Sequence, residues 1–187
     1  MKQATYLFAI TAVLLILASA GCITDQSADE TVHTPPATSA ASLAPHPNAT
    51  EIAPAEILGM NRVVVSTGTD ALQRVKESHI GSIENIEDLA IIHYHGEGEG
   101  FLTLWTTLYK NETLANDETE KMVIGIRKFG GDWESTLEEI TIDGTTVYRI
   151  APDDMPQYFW VDGAWVFYIK PHNLTPEEVT QIILAIP

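Results

Sequence analysis

A chain of 187 residues with 10 Lys+Arg against 26 Asp+Glu carries a formal charge of −16, a balance that disfavours nucleic acid and anionic lipid head groups as partners. Its single cysteine, Cys22, excludes an internal disulfide, so packing alone must hold whatever folds. The length that remains after a leader and a tether suits one core.

Lys2 opens the chain, an uncharged stretch runs from Tyr6 to Leu17, and Ala18, Ser19, Ala20 and Gly21 lead into Cys22. That order is a basic n-region, an apolar h-region and a small-residue cleavage site, which predicts a signal peptide over residues 1–21. The stretch from Tyr6 to Gly21 falls short of the roughly 20 residues that cross a bilayer core. Small residues directly before the cysteine resemble the lipobox of prokaryotic lipoproteins, with Ser19 standing where that family most often has Leu. The resemblance implies cleavage after Gly21, acylation of Cys22 and residence on the outer face of the cytoplasmic membrane. An uncleaved N-terminal helix is the alternative anchor.

Residues 22–56 are rich in Pro, Thr, Ser and Ala, show no apolar periodicity, and read as a disordered tether. At roughly 3 Å per residue of extended chain such a segment reaches up to about 100 Å from the membrane. Three Asn-x-Ser/Thr acceptors occur, at Asn48, Asn111 and Asn173. The first two are the glycosylation candidates, because a proline follows the third.

Residues 57–187 read as one α+β domain. Arg62 to Ser66 is a β-branched strand, and Ala71, Leu72, Val75 and His79 follow at helical spacing. Leu89 to His95 and Phe101 to Tyr109 make a hairpin around Gly96-Glu97-Gly98-Glu99-Gly100. Asp117 and Glu120 form a capping box for a helix with Met122, Val123, Ile126 and Phe129 on one face, ended by Gly130-Gly131.

Two Asp-Gly hairpins come next. Around Asp143-Gly144, Ile142 should face Thr145, Ile140 Val147 and Glu138 Arg149; around Asp162-Gly163, Val161 should face Ala164, Trp160 Trp165 and Phe159 Val166. The chain closes on Thr175-Pro176-Glu177-Glu178, a capping box with proline at the first helical position, before Val179, Ile182, Ile183 and Ile186.

These elements predict an antiparallel sheet of about six to seven strands with helices packed on one face. Its first part has ferredoxin-like order, and the C-terminal helix docks on the sheet. The hairpin Trp160-Val161-Asp162-Gly163-Ala164-Trp165, leading to a Thr-Pro-Glu-Glu helix, resembles small uncharacterised domains carried by archaeal and bacterial surface lipoproteins. The resemblance brings no active site with it.

Two constellations stand out. Were the strand to continue past His95, alternation would place His93, His95, Glu97 and Glu99 on one face, a donor set for zinc or copper, while the glycines favour a turn there instead. The aromatic set Tyr158, Phe159, Trp160, Trp165, Phe167 and Tyr168 makes both faces of the last hairpin apolar, which points to an interaction surface at Tyr158, Trp160, Trp165 and Phe167. No nucleophile motif, phosphate loop or cofactor signature occurs, so no catalytic residue or cofactor is assigned. The expected function is a lipid-anchored extracytoplasmic module that binds an unknown protein, peptide or glycan. A metal-binding surface protein using His93 and His95 is the alternative, and a hydrolase without recognisable motifs comes third.

Overall fold

The structure, a computed structural model, describes residues 47–78 and 83–187, and all of these fall in one compact unit. In chain order its elements are β1 (Glu56–Ile57), β2 (Met60–Thr67), α1 (Gly68–Ser78), β3 (Ile86–His95), β4 (Phe101–Tyr109), α2 (Glu112–Phe129), α3 (Asp132–Thr136), β5 (Glu138–Ile142), β6 (Thr145–Ile150), β7 (Gln157–Asp162), β8 (Trp165–His172) and α4 (Pro176–Ala185). A single 3-10 turn, Pro152–Asp154, links β6 to β7.

The strands form one eight-stranded antiparallel sheet in the order β1-β2-β3-β4-β8-β7-β6-β5. Two four-stranded meanders therefore meet where β4 pairs with β8, Leu104 opposite Ile169 and Phe101 opposite His172. The expectation of six to seven strands misses the two-residue β1. The elements of a ferredoxin-like start occur in order, but the parallel pair which that unit needs is not among the described strands, each of which pairs antiparallel with its neighbours.

Helices cover both faces of the sheet, which corrects the expectation of a single helical layer. Alternation along β3 sends Ala90, Ile92 and Tyr94 one way and Leu89, Ile91, His93 and His95 the other. The first set packs with Val179, Ile182, Ile183 and Ile186 of the C-terminal segment. Leu89 and Ile91 of the second set meet Ala71 and Val75 of α1. On that same side Val123 and Ile126 of α2 lie on Ile150 and Phe159, and Ala115 lies on Tyr109 and Val166. The consecutive apolar run Leu89-Ala90-Ile91-Ile92 is the sequence sign of a strand covered twice.

The C-terminal helix docks as expected. Thr175 accepts a hydrogen bond from the Glu178 amide while the Glu178 carboxylate accepts from the Thr175 amide at 2.7 Å. Those contacts, led by the backbone amide, hold the Glu178 carboxyl below its ordinary range. Burial of each large aliphatic side chain contributes about 1.5–3 kcal/mol, so docking rather than propensity stabilises this 10-residue helix.

Residues 48–57 belong to the fold, which corrects a tether boundary at 56; residues 22–46 of the tether and the whole leader lie outside the described residues. Ala49, Ala53 and Ile57 are buried in the principal core. The backbone of this strap is pinned by side chains from the strands beneath it. Ala49 donates its N–H to the Asp88 carboxylate at 2.7 Å, and its carbonyl accepts from the Thr106 hydroxyl. The Arg62 guanidinium donates to the carbonyls of Thr50 and Ala53 at 2.7 and 2.6 Å, and the Tyr94 hydroxyl donates to that of Pro54 at 2.8 Å. Burial pushes the Tyr94 phenol up to about 12 against the opposing pull of Arg62.

The first Asp-Gly hairpin has the expected register, Ile142 facing Thr145 and Glu138 facing Arg149, with φ of 46° and 83° at Asp143 and Gly144. The second is displaced: Asp162 faces Trp165 and Trp160 faces Phe167, leaving Gly163 and Ala164 at the tip. Only Gly163 has positive φ there, 55°, the pattern of a type II′ turn in which glycine leads. Consequently Trp160 stacks on Phe167, ring centroids 5.3 Å apart, and not on Trp165.

Candidate functional site

The last hairpin presents little aromatic surface to solvent, since of its six aromatic side chains only Tyr168 is partly exposed. Tyr158, Trp160, Trp165 and Phe167 are all buried in the principal core, Trp160 at 2% and Phe167 at 0% exposure. Phe159 on the reverse face is buried under α2 with Tyr148 and Tyr168 packed around it. The expected interaction surface is therefore the centre of the fold, because α4 covers one face of this hairpin and α2 with α3 covers the other.

The histidine strand behaves differently. β3 ends at His95, and Gly96 to Gly100 turn the chain into β4, so the continuation through Glu99 does not form. Glu97 and Glu99 are exposed in that loop. The Glu99 carbonyl accepts from the Asn173 amide at 3.4 Å, and a side chain at Gly100 would strike Leu174, which braces the loop on the β8–α4 connection. Among the described residues no three His, Cys, Asp or Glu side chains gather closely enough to hold a metal ion. The set His93, His95, Glu97 and Glu99 is thus not assembled around one point.

The strand order builds a row across the sheet instead. His95 faces Phe101, which faces His172, and His93 stands one row further in, opposite Thr103, which in turn faces Lys170. The His93 and His95 rings meet edge-on at 5.8 Å, both pack on Phe101 at 4.9 and 4.8 Å, and Phe101 packs on His172 at 5.3 Å. The phenyl ring separates His172 from the other two imidazoles. Burial, reinforced by the neighbouring His95, holds the His93 imidazole below its ordinary value.

This end of the sheet is where its upper covering stops. α1 packs on Leu89, Ile91 and Trp105, α2 on Tyr109, Ile150, Phe159 and Val166, and none of these clusters includes His93, His95, Phe101 or His172. His95 is exposed, and His93, Phe101 and His172 are partly so. Beside them Val63 shows 49% of its surface. The result is a shallow platform of three imidazoles around one phenyl ring.

Of the glycosylation candidates, Asn48 and Asn111 are both exposed at turns. The Asn48 side chain accepts from the amides of Thr50 and Glu51, and Asn111 caps α2 by accepting from the Leu114 amide at 2.9 Å. Phe101 was not singled out by its sequence; the alternation that puts it beside His95 was visible, but the strand neighbour that brings His172 was not. No helix among the described residues is long and apolar enough to cross a membrane. Cys22 lies outside the described residues. Comparison with family models, curated proteins and solved structures finds no match to this chain.

Proposed function

We propose that this chain is a lipid-anchored extracytoplasmic binding module, held on the outer face of the cytoplasmic membrane through Cys22. On this reading it presents the uncovered end of its sheet, His93, His95, Phe101 and His172, to a protein, peptide or glycan. One observation carries the choice of surface: both faces of the aromatic hairpin are buried, while the imidazole–phenyl row is an aromatic cluster that the helices leave open. Rings with both an apolar face and a polar edge suit a partner recognised through stacking and hydrogen bonding together. The net charge of −16 supports a soluble, salt-tolerant exterior and weighs against a polyanionic partner.

The anchor and the surface are separately testable. Metabolic labelling with a radioactive fatty acid in a prokaryotic host should mark the wild type and not Cys22→Ser. The purified full chain would be probed on peptide and glycan arrays beside Phe101→Ser/His95→Ser, with melting temperature as the control for folding. Signals that disappear in the double variant at unchanged stability support the platform. Signals indifferent to it place the binding surface elsewhere.

A further inference from the structure

The two edges of the sheet are built differently. β5 closes one side with Glu138 and Glu139, both exposed, and Glu138 pairs with Arg149 at 2.9 Å. Charge of this kind keeps a further strand away. On the other side β1 covers only the start of β2: Glu56 faces Asn61, Ile57 faces Met60, and the Arg62 N–H donates to the Ala55 carbonyl at 3.0 Å. Pro54 has no N–H to carry that ladder on, and the strap leaves the edge there, the Pro54 carbonyl accepting from the Tyr94 hydroxyl. From Val63 to Thr67 no strand among the described residues pairs with the outer side of β2.

That stretch, Val63-Val64-Val65-Ser66-Thr67, is uncharged, and Val63 and Val64 are 49% and 43% exposed. Backbone direction alternates along a strand, so the outward N–H of Arg62 sets the Val64 N–H and C=O outward as well. A bulge between Val64 and Ser66 then bends the strand, a device common at sheet edges and beside functional sites. A donor and an acceptor on one residue of an open edge are the complement of another extended backbone.

The helix beside this edge adds a wall. Ala71 and Val75 of α1 pack on the sheet, and a groove of about 490 Å³ runs between the helix and residues 64–67. Asp70, Gln73 and Glu77, at i, i+3 and i+7 of α1, stand along that groove with Arg74. A strand laid about 4.8 Å outside β2 sends every second side chain to the α1 face. Asp70 and Glu77 against one guanidinium, on a chain of net charge −16, favour cationic side chains at those positions. We propose that the outer edge of β2 takes up an extended peptide as a further strand, with lysine or arginine at its alternate positions entering the groove beside Asp70 and Glu77. This edge is a separate surface from the platform, and neither reading depends on the other.

The probe is a capped heptapeptide of alternating lysine and valine, titrated by calorimetry into the full chain in detergent at about 0.15 M ionic strength, where distant charges are screened. Saturable one-to-one binding is expected, with slower hydrogen exchange at the Val64 amide. Two N-methylated versions, one for each set of alternate backbone amides, keep the charge; the version blocked on the side that meets β2 should bind about tenfold or more weakly, and the other should bind as before. That pair decides the point without altering the protein. Val64→Pro removes an outward donor at an edge position that tolerates proline, and should weaken binding about tenfold at unchanged melting temperature. Asp70→Asn/Glu77→Gln should weaken it several-fold, and Glu97→Gln/Glu99→Gln, the same change in net charge away from the groove, by less than about twofold. No saturable binding, equal behaviour of the two methylated peptides, or equal weakening by the two charge variants would each overturn the proposal. Loss of binding in Phe101→Ser/His95→Ser would overturn it by placing the peptide on the platform. Concentration-dependent dimers that Val64→Pro abolishes would overturn it by giving the edge to a second copy of the chain.

Discussion

Replacing Arg62 tests how the N-terminal strap is held. Its guanidinium makes two short hydrogen bonds, to the carbonyls of Thr50 and Ala53, and no other side chain of the described residues bonds either one. Hydrogen bonds to a charged donor contribute about 1.5–3 kcal/mol each, and partial exposure places these two at the lower end, about 2–3 kcal/mol together once water replaces some of the loss. Arg62→Met keeps the aliphatic stem and removes only the donors. For a domain of this size about 1 kcal/mol corresponds to roughly 3 °C, so the melting temperature should fall by about 6–9 °C. Hydrogen exchange should accelerate at residues 49–57 more than in β3 or β4, because the strap opens locally before the sheet does. Arg62→Lys should recover only part of the loss, since a point-like ammonium cannot serve two carbonyls with the geometry of a planar fork. A shift below about 2 °C with unchanged exchange in the strap would refute the assignment, and burial of Ala49, Ala53 and Ile57 would then be what holds it.

Three further outcomes are expected. Trp160→Ala should cost about 3–5 kcal/mol in denaturant unfolding, the value for emptying a packed core; a surface residue would cost within about 0.5 kcal/mol. The depressed His93 imidazole gives stability that is present in full above the unfolded value near 6.5 and declines as pH falls through it toward the folded value; His93→Gln should therefore flatten the decline in melting temperature between about pH 7 and pH 5. Gly163→Ala should cost about 1–2 kcal/mol by forcing a side chain into φ of 55°, measured by equilibrium unfolding, and a cost near zero would show that the tip is not the type II′ turn described.

What could be read from the sequence follows how local each signal is. The C-terminal capping box needs only Thr175 and Glu178, three residues apart, and it is present as expected. The Asp143-Gly144 turn is equally local, since both of its residues take the positive φ that this pair favours. The strand β1 was hidden because its turn to β2 puts Leu58, at φ of 51°, where Asn or Asp would have announced it. The start of α2 was misplaced because Asp117 and Glu120 imitate a capping box inside the helix, whose cap is Asn111. Phe129, placed on the apolar face of that helix, is 78% exposed at its last turn. The aromatic hairpin misled for a different reason: a strand apolar on both sides fits an open surface or a second helical layer, and only tertiary placement of α4 decides between them. The histidine row depends on β8 lying against β4, a contact between distant parts of the chain to which no local pattern refers.

That seam has a consequence for how the chain reaches this structure. Within each meander every strand pairs with a sequence neighbour, so most ladders close short loops. Residues 110–164 intervene between β4 and β8, and the entropy of closing that interval falls on one ladder. Folding speed should accordingly be governed by the meeting of two sheet halves, not by the formation of either. Until they meet, β4 and β8 are bare inner edges with Leu104 and Ile169 unburied, and each is a template for pairing with another copy of the chain. The central ladder that is best protected in the finished molecule is therefore its most vulnerable part during synthesis.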